Sequence, residues 1–156
     1  MKTALPGTEE TAVLAQDRLQ RLFAPAPVDS ATSPLAPPLI VAELSGNHMG
    51  SYDIARALVT AAAEAGADAI KLQTYSADGM TLPINSGDFR INDPSSLWHG
   101  HSLHELYRQA ATPREWHAPL FAYAKSLGLL AFSSPFDADA ADYLASLDVP
   151  CYKIAS

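Results

Sequence analysis

From position 39 onward, short apolar runs alternate with segments whose apolar residues recur at helical spacing, whereas positions 1–38 follow neither pattern. Residues 39–44 are continuously apolar up to Glu43 and are followed by Ser45 and Gly46, the form of a short buried strand. Residues 52–65 read as a helix with Ile54, Leu58 and Val59 on one side and Gly66 as its stop. Residues 69–73 are the next strand, and the short connections favour parallel pairing with a right-handed crossover. A long excursion follows over 74–101, punctuated by Gly79, Pro83, Gly87, Pro94 and Gly100. Helices are predicted over 103–111 and 113–127, the latter with Thr112 as cap, Pro113 in the first turn and Gly128 as stop. A third strand over 130–133, a helix over 137–147 and a fourth strand over 151–154 complete the pattern.

Strands alternating with helices give an α/β fold, either an open doubly wound sheet or half of a closed eight-stranded barrel. Periodicity leaves both open. In either case chemistry belongs on the rim just past the strand ends. The first 38 residues form a separate extension: a polar segment with Leu14, Leu19, Leu22 and Phe23, expected to be a short helix, then a linker containing Pro25, Pro27, Pro34, Pro37 and Pro38. Prolines remove backbone donors and bias their predecessors to extended geometry, which suits a tether better than a core element.

Composition narrows the function. With 156 residues, 48% hydrophobic, the chain can bury one core without disulfides. A formal charge of -7 argues against binding nucleic acid over a broad surface, while two or three placed cations in a pocket still suffice for a small anion. The single Cys151 makes no internal disulfide and reads as a small strand residue. No apolar run approaches the roughly 20 residues of a membrane span, and the start lacks a basic region followed by an apolar stretch, so a cytoplasmic protein is expected.

The polar residues gather where the rim rule puts them: Glu43 near the end of the first strand, Lys71 and Gln73 on the second, Ser133 and Ser134 after the third, Lys153 and Ser156 at the fourth. Two lysines inside otherwise apolar strands each need a partner, because an unpaired buried ammonium is expensive. Glu43 and Lys71 make a structural ion pair on one reading. On the other, both lysines hold a phosphate or carboxylate, with the hydroxyls of Ser134 and Ser156 completing the cradle. The Ser133–Ser134 pair lacks the flanking glycines of a nucleophile elbow. His99, His101 and His104 lack the accompanying cysteine or acidic pattern of a zinc site, and a solvated role is expected for them. His48 directly follows the first strand, to orient a substrate or to cap its loop.

Four segments, VAELSGNHMGS (41–51), EAGADAIKLQTY (64–75), FSSPFD (132–137) and YKIAS (152–156), resemble in order and spacing the signature blocks of the sialic and pseudaminic acid synthases. SLWHG (96–100), ELYRQAATPREWH (105–117) and KLQTY (71–75) resemble the pseudaminic branch. The resemblance covers 39–156 and implies the N-terminal half of a (β/α)8 barrel, ending after about four strands. It implies condensation of phosphoenolpyruvate with a 2,4-diacetamido-2,4,6-trideoxy hexose, giving pseudaminic acid and phosphate. Lys71, Ser134, Lys153 and Ser156 would bind phosphoenolpyruvate, Glu43 and Lys153 would carry the chemistry, and Gln73, Asn47, Tyr75 and Phe136 are weaker candidates for the sugar. The resemblance also implies a divalent metal, manganese or magnesium, with ligands beyond residue 156 and none in this chain. It further implies a homodimer in the full-length protein, whose C-terminal antifreeze-like domain reaches the partner's site. The alternatives are an N-acetylneuraminic or legionaminic acid synthase, or a non-catalytic remnant serving as an interaction module. By itself the chain is expected to be inactive and to fold poorly or only with partners.

Overall fold

The computed structural model describes residues 8–24 and 38–155. Three strands, β1 (Val41–Glu43), β2 (Ala69–Thr74) and β3 (Leu130–Pro135), form one parallel sheet in the order β1-β2-β3. Helix α2 (Tyr52–Glu64) links the first two. A longer path through α3 (Ala77–Met80), a 3-10 turn at Gly87–Phe89, α4 (Leu103–Ala110) and α5 (Arg114–Ser126) links the second to the third. Helix α6 (Ala138–Ser146) follows β3. The fold is thus α/β with parallel strands, as the alternating pattern predicts. Among the described residues no helix is long and apolar enough to cross a membrane.

Register decides which side chains share a face. Glu43 lies opposite Lys71, Lys71 opposite Phe132, and Gln73 opposite Ser134. Because strand side chains alternate, Glu43, Lys71, Gln73, Phe132 and Ser134 project to one face, and Ala42, Ile70, Leu72 and Ala131 to the other. The second face is the core. Ile70 and Leu72 pack there with Val59 and Ala62 of α2 and with Leu120 and Ala124 of α5, all of them buried. The helix stops fall at the two predicted glycines, since Gly66 and Gly128 have φ of 80° and 83°, a left-handed conformation that costs a side-chain-bearing residue.

Several expectations are corrected. Residues 151–154 do not form a fourth strand; Tyr152 makes one isolated parallel bridge to Ser133, and Lys153 N–H donates to the Ser133 carbonyl at 3.2 Å. Ile54 is exposed, and the buried face of α2 is Ala55, Val59 and Ala62. Thr112 is not the cap of α5: Pro113 holds that position without a side-chain bond, and Thr112 is buried against His48. The expected N-terminal helix exists as α1 (Thr8–Phe23), but it is docked, with Leu19 buried and Arg18 paired to Asp68 at 2.7 Å. The proline stretch 25–37 lies outside the described residues.

Candidate active site

The polar group on the face of the sheet opposite α2 and α5 is built from strand residues. Glu43 is the last residue of β1, and its Oε1 accepts three hydrogen bonds: from Lys71 Nζ at 2.6 Å, Gln73 Nε2 at 3.0 Å and Ser45 Oγ at 3.2 Å. Ser45 adopts a left-handed φ of 47°, a sparsely populated conformation for a residue with a Cβ, and this turn brings its hydroxyl back onto Glu43. The hydrogen bond from Lys71 holds the Glu43 carboxyl below its ordinary range, so the group is an anion at neutral pH. The pair is unevenly buried: the Lys71 side chain is 11% exposed and that of Glu43 43%.

Ser134 completes the group in an unusual way. It sits beside Gln73 in register, is 2% exposed, and its buried Oγ has no hydrogen-bond partner among the described residues. Buried hydroxyls are nearly always satisfied, which sets this one apart from the rest of the sheet. Lys153 is exposed, one residue beyond the bridge that pairs Tyr152 with Ser133. Continuing that register by one step sets Lys153 beside Ser134, on the face that carries Lys71. Ser156 lies outside the described residues.

The weaker candidates divide. Asn47 is exposed in the turn after β1. Tyr75 and Phe136, each immediately past a strand end, meet edge to face with centroids 5.5 Å apart, and Tyr75 also meets Tyr107 at 5.9 Å. Their rings are engaged with one another, and burial raises the Tyr75 phenol above its usual value.

Sequence reasoning grouped Ser133 with Ser134 past the end of the third strand. Both lie inside β3, which runs to Pro135, and Ser133 belongs to the opposite, helix-facing side. There it forms a buried chain that sequence reasoning missed: His117 Nδ1 donates to the Pro113 carbonyl at 3.1 Å, Thr74 Oγ1 donates to His117 Nε2 at 2.8 Å, and Ser133 donates to Thr74 at 2.7 Å. Since Nδ1 faces a carbonyl, which only accepts, the neutral tautomer protonated at Nδ1 fits. The only sequence signal is the spacing of His117 with Leu120 and Ala124 on one helix face. His48 caps its own loop, accepting the Gly50 N–H on Nδ1 at 3.1 Å and meeting Thr112 Oγ1 through Nε2 at 3.2 Å. Burial lowers both histidines' pKa values, so both are neutral near pH 7. Of the other histidines, His104 bonds Asp78 at 2.8 Å. The described residues gather no group of three or more His, Cys, Asp or Glu able to hold a metal ion, so they do not supply a seat for the divalent metal that the resemblance implies. A cavity of about 490 Å³ lies against the beginning of β3, lined by Gln16, Phe121, Lys125 and Leu130 among others and by none of the candidate site residues.

The profile of the NeuB family matches residues 58–156. The chain is 49% identical over 122 residues to the pseudaminic acid synthase of Helicobacter pylori, covering 78% of this chain and 35% of that protein. It is 48% identical over 117 residues to the pseudaminic acid synthase of Campylobacter jejuni serotype O:2, covering 75% and 34%. The chain therefore spans about a third of the length of these relatives. Among solved structures it resembles the spore coat polysaccharide biosynthesis protein of Bacillus subtilis, with a TM-score of 0.56 and 38% identity over 78% of this chain and 30% of that one. It shares its fold with an N-acetylneuraminic acid synthetase from Leptospira borgpetersenii, with a TM-score of 0.60 at 24% identity over 76% and 36%. With well over half of its length matched by the profile, the chain belongs to the NeuB family.

Proposed function

We propose that the sheet face around Lys71 is the phosphoenolpyruvate end of a pseudaminic acid synthase site. In that reaction C3 of phosphoenolpyruvate attacks the aldehyde of an open-chain 2,4-diacetamido-2,4,6-trideoxy hexose, water adds at C2, and phosphate leaves. The observation that carries the reading is the buried Ser134 hydroxyl, without a partner among the described residues, lying on the same sheet face as Lys71. Lys71, Ser134, Lys153 and Ser156 bind the phosphate and carboxylate, where placed cations and donors favour phosphate departure. Glu43, kept ionised by Lys71, accepts a proton from the attacking water or balances positive charge developing at C2. Asn47, Gln73, Tyr75 and Phe136 line the sugar side. A manganese or magnesium ion, a homodimer and a cytoplasmic location belong to the same reading.

Identity of 48–49% to pseudaminic acid synthases, against 36% to the diacetyllegionaminic acid synthase of Legionella pneumophila, favours the pseudaminic sugar. The test is calorimetric titration of the chain with phosphoenolpyruvate. Lys71→Ala should weaken binding by about ten- to a hundredfold, the worth of one charge-assisted hydrogen bond. Equal binding by the variant, or none by the wild type, sinks the assignment. Phosphate release with each candidate sugar, measured in a full-length synthase carrying this segment, then decides the sugar.

A further inference from the structure

Asp68 stands at the foot of β2, three residues before Lys71, and is 7% exposed. Its Oδ2 accepts the N–H of Ile40 at 2.8 Å, and the Ile40 carbonyl accepts the N–H groups of Asp68 at 2.8 Å and Ala69 at 3.1 Å. Ile40 precedes Glu43 by three residues, so this loop of bonds joins the starts of the two strands whose far ends carry the site. A buried carboxylate needs a counter-charge, and here it comes from outside the span the family profile matches: one guanidinium nitrogen of Arg18 in α1 straddles both Asp68 oxygens at 2.7 and 2.8 Å.

The clamp adds to the other contacts that hold β1 on β2, the Leu44 N–H bond to the Lys71 carbonyl at 3.1 Å and the Glu43–Lys71 pair itself. The strand has three ladder positions, and its apolar run is continuous, so hydrophobic patterning does not specify its register. A two-residue slide keeps the same parity on each face but places Val41 or Ser45 opposite Lys71, and neither offers a carboxylate. We propose that Asp68, with Arg18 as its counter-ion, is a positioning residue that locks β1 on β2 and so holds Glu43 opposite Lys71. The helix outside the family-matched span thereby acts on the site from the opposite end of the strands, which makes it more than a tether. The functional part of this claim rests on the phosphoenolpyruvate reading; the clamp itself does not.

The experiment is amide hydrogen exchange on the full chain, with phosphoenolpyruvate calorimetry alongside. In Arg18→Gln the amides of Leu44, Asp68 and Ala69 should exchange about tenfold faster, the loss expected for one charge-assisted bond, while those of Leu120 and Ala124 are unchanged. Phosphoenolpyruvate affinity should fall severalfold, and Arg18→Lys should recover most of both. Asp68→Asn keeps the shape and an acceptor for Ile40, and should reproduce the Arg18→Gln result even if that variant folds poorly. Unchanged exchange, or acceleration spread evenly through the chain, overturns the clamp. Faster exchange in β1 with unaltered phosphoenolpyruvate affinity overturns its role in positioning Glu43. A wild-type chain that shows the protected strand and takes up no phosphoenolpyruvate supports the clamp and overturns the function reading alone.

Discussion

At the scale of residues, the Glu43–Lys71 pair is both a structural ion pair and a candidate binding element, and its uneven burial separates the two. Removing Lys71 leaves a carboxylate that is 43% exposed and can be hydrated, so Lys71→Ala should cost about 1 kcal/mol or less through the lost pair. Removing Glu43 strands an ammonium that is only 11% exposed, and Glu43→Ala should cost about 3 kcal/mol. Urea denaturation of the two variants checks the order; equal costs would mean that Lys71 reaches water when its partner is gone. Glu43, Lys71 and Gln73 were legible in the sequence because polar residues interrupting apolar strands near one end have few places to go. Ser133 was misplaced because the face a strand residue occupies depends on register, which no single strand reveals; only pairing with Leu72 shows it facing the helices. His117 was invisible for a related reason, since its partner Thr74 is 43 positions away.

At the scale of elements, periodicity located every helix from α2 onward except the short α3, and glycine punctuation located two of their ends. It failed where an element depends on its neighbours. The segment 151–154 has the look of a strand, but among the described residues it meets one neighbour at one position, and a single bridge does not organise a ladder. Inside α5, Pro119 occupies an exposed interior position and cannot donate to the carbonyl one turn back. Pro119→Ala should therefore stabilise the chain by about 2 kcal/mol, less than the full propensity difference because alanine also frees the unfolded chain. A thermal melt checks the sign, and a lower melting temperature would show that the ring's packing outweighs the missing bond. At Gly46 a Cβ would meet the Ala110 carbonyl at 3.0 Å, which explains why the turn after β1 carries a glycine where it passes the end of α4.

At the scale of the whole molecule, β1 and β3 are the edges of the sheet among the described residues, and each offers unpaired backbone groups to a neighbour. Exposed apolar side chains lie elsewhere on the surface: Met49 is 83% exposed, Phe23 70% and Ile154 77%. The isolated chain should therefore self-associate at micromolar concentrations, with sedimentation showing mass rising with loading. A monodisperse monomer across that range would mean that edges and patches are covered.

The loop cap at His48 gives the molecule an optical property. Its ring meets Trp116 edge to face at 5.3 Å, and an imidazolium that close quenches indole emission whereas a neutral imidazole does so weakly. Burial depresses the His48 pKa from its ordinary 6.5, so the folded chain resists protonation there, and the stability this provides is lost as pH falls below 6.5 toward the lowered value. In a Trp98→Phe background, which leaves Trp116 as the sole indole, fluorescence should hold steady through pH 6.5 and dim only in more acidic solution. Dimming centred at 6.5 would show that the turn joining Glu43 to α2 opens to water, making the second tryptophan an intrinsic gauge of whether the ground beneath the site is closed.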